Sequence, residues 1–123
     1  MRLIWIGVAS LFGGVTRYLV EGWVSSATRT SFPWGTFAVN ATGSFLLGFI
    51  FTVLTERFLP HSDFRVAVTI GFVGSYTTFS TFAFETFRLA EDGAVALATL
   101  NIAASIAVGV IAVWLGIVAG RAL

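Results

Sequence analysis

Four long apolar stretches, each separated from the next by a short polar segment, dominate the chain: Leu3 to Val20, Gly35 to Leu54, Val66 to Phe87 and Ala94 to Val118. A hydrocarbon core about 30 Å thick is crossed by about 20 predominantly apolar helical residues, so each stretch is predicted to be a transmembrane helix. The punctuation consists of Ser25 to Pro33, then Glu56 to Arg65 with Pro60, His61 and Asp63, then Arg88 to Gly93. None of these resembles a linker to a second domain, and residues 1–123 read as a single all-α, polytopic four-helix domain. The first stretch has some features of a cleaved signal peptide. Its apolar run is longer than a usual h-region, however, and Arg17 stands at its far end, so it is expected to be a mature helix.

Polar residues inside such stretches are costly unless paired or wetted, and their positions therefore carry the functional signal. In the second stretch Thr36, Asn40 and Ser44 recur every four residues and share one helix face; Asn101 and Ser105 do the same in the fourth. Either these are polar tracks lining a path, or they are interhelical hydrogen bonds that hold a bundle together. The spacing leaves both open. The third stretch is less ordinary, running Gly71-Phe72-Val73-Gly74-Ser75-Tyr76-Thr77-Thr78-Phe79-Ser80-Thr81-Phe82 across the expected midplane. Glycines followed by small hydroxyl residues favour a broken helix, whose freed carbonyls must be satisfied by protein, water or an ion. Neutral carbonyl oxygens are hard ligands suited to a monovalent cation. A glycine kink with hydroxyls bonding back to the helix is the alternative.

Phe79 and Phe82, three apart among Ser and Thr, can share a face with polar surroundings. The positive edge of an aromatic ring can touch a small, partly dehydrated anion without holding it as tightly as a full charge would. Ordinary packing is the competing reading. Arg17 with Glu21 at i+4, and Glu85 one turn after Phe82, are the ionisable groups nearest the spans. Arg17 can attract anions at a vestibule, snorkel to the interface, or pair with Glu21. Glu85, late in its helix, is expected to reach water.

Charge and composition narrow the class further. The chain is 57% hydrophobic and 11% charged, with a mean hydropathy of +0.93, far from an ordinary soluble domain. There is no Cys and no Lys, so disulfide and thiolate-metal chemistry are absent. A net charge of +1 gives no field for nucleic acid. The one His, His61, lies in a loop, which leaves no Ser/His/Asp or Cys/His arrangement at membrane depth; no enzyme is expected. Four crossings return both termini to one side together with Arg2, Arg57, Arg65 and Arg121, leaving Arg29 and Arg88 on the other. So weak a positive-inside bias permits insertion both ways round, and hence an antiparallel dimer, as readily as a single orientation. Four helices also bury too little to enclose a polar pathway, and Gly43, Gly48, Gly109, Gly116 and Gly120 offer close helix approach, so association into an oligomer is expected.

Three segments in order, Gly13-Gly14-Val15-Thr16-Arg17-Tyr18, then Gly35-Thr36-Phe37-Ala38-Val39-Asn40-Ala41-Thr42-Gly43, then Gly74 through Thr77-Thr78-Phe79-Ser80-Thr81-Phe82, closely resemble the Fluc/CrcB fluoride exporters. The resemblance covers the first three helices, and the Thr-Thr-Phe-Ser-Thr-Phe string is its most specific part. It implies a fluoride-selective channel in the cytoplasmic membrane of a prokaryote, conducting passively as a dual-topology homodimer with two pores. It also implies a structural Na+ at the dimer centre, held by the backbone carbonyls of Gly74 and Thr77. On the same basis Phe79 and Phe82 would form an aromatic box, Asn40 a pore-lining amide, Ser105 part of the polar track with Thr36, Ser80, Thr81 and Asn101, and Arg17 the vestibule arginine. Ser75, Asn101 and Gly109 depart from the family's usual pattern, where another glycine, an aromatic or His, and a hydroxyl are common. The rival classes are a coupled small-ion or drug/proton antiporter, for which Glu85 is the one candidate acid, and a non-transporting assembly subunit.

Overall fold

The structure, a computed structural model describing residues 1–123, is helical from end to end and contains four helical spans long and apolar enough to cross a membrane. The first is α1 (Arg2–Thr28), which continues eight residues beyond Val20, through the isolated Gly22; it ends at Arg29, which takes a left-handed φ of 46°. The second is α2 (Trp34–Thr52), entered at Pro33, and it runs on through a π-helical turn over Val53–Arg57. The third span is assembled from α3 (Ser62–Val66), a π-helical stretch over Ala67–Val73, α4 (Gly74–Tyr76) and α5 (Phe79–Glu91). The fourth is α6 (Val95–Arg121). At 1.5 Å per residue the 27 residues of α1 and of α6 each reach about 40 Å, enough to span hydrocarbon with some tilt.

Short connections force sequential helices to run antiparallel. His61 opens α3 by accepting the Asp63 N–H on Nδ1 at 3.2 Å. The turn from α5 to α6 closes by Ala94 N–H to the Leu89 carbonyl at 2.8 Å and Gly93 N–H to the Ala90 carbonyl at 3.1 Å, with Gly93 at φ 85°, where a side chain would be strained. One end of the bundle therefore gathers both termini and the α2–α3 loop. There Arg2 pairs with Asp63 at 2.8 Å and Arg121 with Glu56 at 3.1 Å, while Arg57 donates to the Arg121 carbonyl.

Close backbone approach, with little side-chain interlock, brings these helices together. The largest contact is α2 on α6, where Gly48 faces the Val113 carbonyl, Gly116 the Phe45 carbonyl, and a methyl on Gly120 would stand 3.1 Å from the Phe49 carbonyl oxygen. On the other side, Gly13 of α1 meets the Phe72 carbonyl, and Gly71 faces Ile6 and Ala9. This is the packing available when lipid removes the hydrophobic drive between helices. Gly109, expected among the packing glycines, faces mainly Ser44. Only 17 of 123 residues are buried, and side chains such as Leu3, Trp23, Ile70 and Val110 lie more than half exposed, as lipid-facing or partner-facing surface requires.

Candidate functional site

The third span is interrupted at two residues. Thr77 (φ −85°, ψ 158°) and Thr78 (φ −147°, ψ 119°) are extended, fifteen or so residues into a span of 30. Side chains replace the lost helical bonds. In an unbroken helix the Thr78 N–H would bond the Gly74 carbonyl; here it donates to Asn40 Oδ1 at 2.8 Å. Asn40 Nδ2 in turn donates to the Thr78 carbonyl at 2.9 Å, so one amide side chain clasps both polar groups of one residue. The backbone N–H identifies which end of the Asn40 amide is oxygen. Similarly, the Thr81 N–H, the helical donor for the Thr77 carbonyl, turns to Thr78 Oγ1 at 3.3 Å, and Thr78 becomes the N-cap of α5. The carbonyls of Gly74 and Thr77 are thereby released from helical pairing together.

Neighbouring residues lock the break from behind. Tyr76 is buried, its hydroxyl 2.9 Å from Thr42 Oγ1 and its ring stacked on Phe72 at 6.2 Å. Gly43 makes room for the Tyr76 ring and the Thr77 methyl, which a Cβ would displace.

In front of the break lies an open groove of about 340 Å³ lined by Asn40, Ser44, Thr77, Phe79, Phe82 and Ser105, with no charged side chain among its lining residues. The Phe79 and Phe82 rings are 5.8 Å apart and tilted by 54°, with Phe79 79% exposed. Of the two hydrogens on Asn40 Nδ2 one is committed to Thr78, leaving the other for a guest. Ser44 has no hydrogen-bond partner inside the chain, while Ser105 donates to Asn101 Oδ1 at 3.2 Å.

The remaining predicted residues divide between two other places. Thr36 is buried and donates to the Glu85 carboxylate; with Thr81, Glu21 and Tyr18 these line a second, separate cavity of about 520 Å³. Asn101 is 1% exposed and donates to Thr86 Oγ1 at 2.9 Å, so it reaches the groove only through Ser105. Ser80 is exposed and makes no hydrogen bond within the chain. Arg17 does not stand free: its Nε donates to the Ser75 carbonyl at 3.2 Å, and a terminal nitrogen is 3.6 Å from Glu21. Glu85, expected to reach water, instead accepts from Thr36, while Thr86 gave no signal beyond its position four residues after Phe82, the spacing that places it beneath the polar string.

The family model described as "CrcB-like protein, Camphor Resistance (CrcB)" matches residues 4–117. A protein of Acidobacterium capsulatum named fluoride-specific ion channel FluC is 43% identical over 121 residues, covering 98% of this chain and 97% of that one. Proteins of the same name from Geobacter sulfurreducens and Citrifermentans bemidjiense are 46% and 45% identical, over 96% and 99% of this chain and 95% and 98% of their own.

Proposed function

Because the chain belongs to the CrcB family of multi-pass membrane proteins, we propose that it is a fluoride channel, passive and non-enzymatic, with the groove beside the helix break as its conduction path. The observation that carries this reading is the lining itself. Neutral donors (Asn40, Ser44, Ser105) and two Phe rings line the groove, and no titratable side chain does. Such a set can replace part of the hydration of a small anion without the grip of a full charge. Serine hydroxyls rotate, so Ser105 can exchange Asn101 for a passing anion. No fuel is needed: hydrogen fluoride enters cells as a neutral acid and ionises, and a negative-inside potential drives the anion out, at about 2.3 kcal/mol per charge per 100 mV.

One chain leaves the groove open along one side, with Gly74 and Phe79 exposed. A second copy in the opposite orientation would close it, and the weak charge bias of the loops allows that copy to insert. The Gly74 and Thr77 carbonyls fit a structural Na+ shared by such a pair, since both are hard neutral oxygens whose helical donors have been diverted to Asn40 and Thr78. When bound, the cation would supply the positive charge that these carbonyls lack partners for. The chain's own residues hold them in place.

Purified protein in liposomes, with fluoride efflux read by an electrode after a potassium ionophore is added, tests the channel. Rapid efflux from wild type that is lost in Phe82→Ile is expected; no efflux from dimeric wild type would remove the assignment. The Thr36–Glu85 contact favours a second reading, a proton-coupled antiporter. Replacing Glu85 with Gln leaves a channel conducting and abolishes coupling in an antiporter; loss of all transport in that variant would count against the channel.

A further inference from the structure

Besides the Gly74 and Thr77 carbonyls, the break in the third span frees the carbonyl of Ser75. In a continuous helix the Ser75 carbonyl would accept from the Phe79 N–H, but the extended Thr77 and Thr78 carry Phe79 out of reach. Arg17 of α1 fills that role, with Nε 3.2 Å from the Ser75 oxygen. Behind it, Glu21 stands one turn further along α1 with Oε2 3.6 Å from the other side of the guanidinium. Glu21 Oε1 is buried without any donor. A carboxylate oxygen held dry and unpaired is costly in itself, and the adjacent guanidinium is what offsets that cost. Arg17 is thus engaged on two sides, and Ser75 lies between Gly74, one of the two released carbonyls, and Tyr76, the buried anchor of the break.

We propose that Arg17 and Glu21 form a brace for the helix break: Arg17 is a positioning residue that supplies the missing donor to the Ser75 carbonyl, and Glu21 orients Arg17, with collection of anions secondary. This rests on the cation reading of the Gly74 and Thr77 carbonyls for one of its readouts only. The two roles separate through Arg17→Lys. Lysine keeps the charge, so a residue that merely attracts anions tolerates it. It cannot address a carbonyl with a fixed Nε–H while its terminal nitrogens face a carboxylate, so a brace does not.

Three variants, Arg17→Lys, Arg17→Gln and Glu21→Gln, would be compared with wild type in two measurements. The first is fluoride efflux as a function of sodium and, separately, of fluoride. The second is hydrogen exchange of the Thr77, Thr78 and Phe79 amides in nanodiscs, which needs no transport at all. A brace predicts that Lys and Gln at position 17 alike accelerate exchange at these amides and raise the half-maximal sodium concentration roughly tenfold, the scale of one charge-assisted hydrogen bond. Glu21→Gln shifts both in the same direction by a smaller factor, and the fluoride dependence stays in place. The proposal is overturned if Arg17→Lys matches wild type in exchange and in sodium dependence while only Arg17→Gln weakens the response to fluoride. Should wild-type efflux be independent of sodium, the cation reading fails, and the exchange data alone decide the brace. Should the Arg17 variants not assemble, Glu21→Gln decides it: unchanged exchange in that variant overturns the pair.

Discussion

Two regions of this molecule solve the same problem by opposite means. Along the α2–α6 seam, glycines let two intact helices approach until backbone touches backbone, with Gly48 on Val113 and Gly116 on Phe45. Around Thr77 and Thr78 the helix is opened, and named side chains take up part of what is lost: Asn40, Thr78 Oγ1 and Arg17. In lipid neither region gains from hydrophobic exclusion between helices. The seam gains dispersion by having no side chains there. The break gains hydrogen bonds by having particular ones, and what it leaves over, two carbonyls and a free amide hydrogen, is available to ions. Regular helices in this protein are scaffolding, and chemistry sits where regularity is given up.

Filling the seam is expected to have the largest effect. Gly116→Val places a Cβ against the Phe45 carbonyl and 2.8 Å from the Phe49 nitrogen, where backbone cannot yield. A loss of about 3 kcal/mol or more, the upper end for overpacking, should appear as loss of folded protein in a detergent-denaturation titration and, with it, of fluoride flux. Asn40→Leu should be milder in stability and equally complete in function. Two polar groups of Thr78 lose their partner, at about 1–3 kcal/mol each before rearrangement, so flux should vanish in protein that still elutes as assembled material. If Asn40→Leu conducted normally, the break would not depend on its clasp and the comparison would collapse.

Thr78→Ala removes the cap of α5 and the hydroxyl contact with Thr81 Oγ1, and leaves the Asn40 clasp in place. A destabilisation of about 1 kcal/mol, seen as faster hydrogen exchange at Thr81, is expected with flux reduced but present. Asn101→Leu sharpens the same distinction from the other side. Buried at 1% exposure and bonded to Thr86, Asn101 should behave as seam and not as path: about 0.6 to 1.7 kcal/mol of stability lost, the range for polar contacts between membrane helices, with fluoride dependence unchanged. The smallest effect belongs to Thr99→Ala. Its hydroxyl bonds back to the Val95 carbonyl of its own helix at 2.9 Å, on an exposed face, and neither stability nor flux should move measurably.

Much of this arrangement was legible from the chain. Four apolar runs fix four spans because bilayer thickness converts directly into residue number. The i, i+4 recurrence of Thr36, Asn40 and Ser44 placed them on one face, and all three do face the break side of α2: Thr36 on Glu85, Asn40 on Thr78, Ser44 in the groove. Less legible were the termini of α1 and the fate of individual polar groups. Ser25 to Thr28 belong to the polar punctuation Ser25 to Pro33, yet they continue α1, because local polarity alone does not end a helix. Arg17 offered three readings in the sequence; the structure shows one of them, the pairing with Glu21, and adds a second partner, the Ser75 carbonyl, which no periodicity on α1 can reveal. Asn101 and Ser105 shared one track in sequence, but burial separates them into a bridge to Thr86 and a groove residue.

The sequence by itself determined the number of spans, the family, and which residue types would stand where lipid does not tolerate them, because those follow from hydrophobic length and from helical period. Only the tertiary structure decided which carbonyl each donor serves. Hydrogen bonds between α1 or α2 and the broken third span join residues 34 to 61 positions apart, as Thr42 with Tyr76 and Arg2 with Asp63, and such bonds, those of Asn40 with Thr78 and Arg17 with Ser75 among them, are set by how the helices cross.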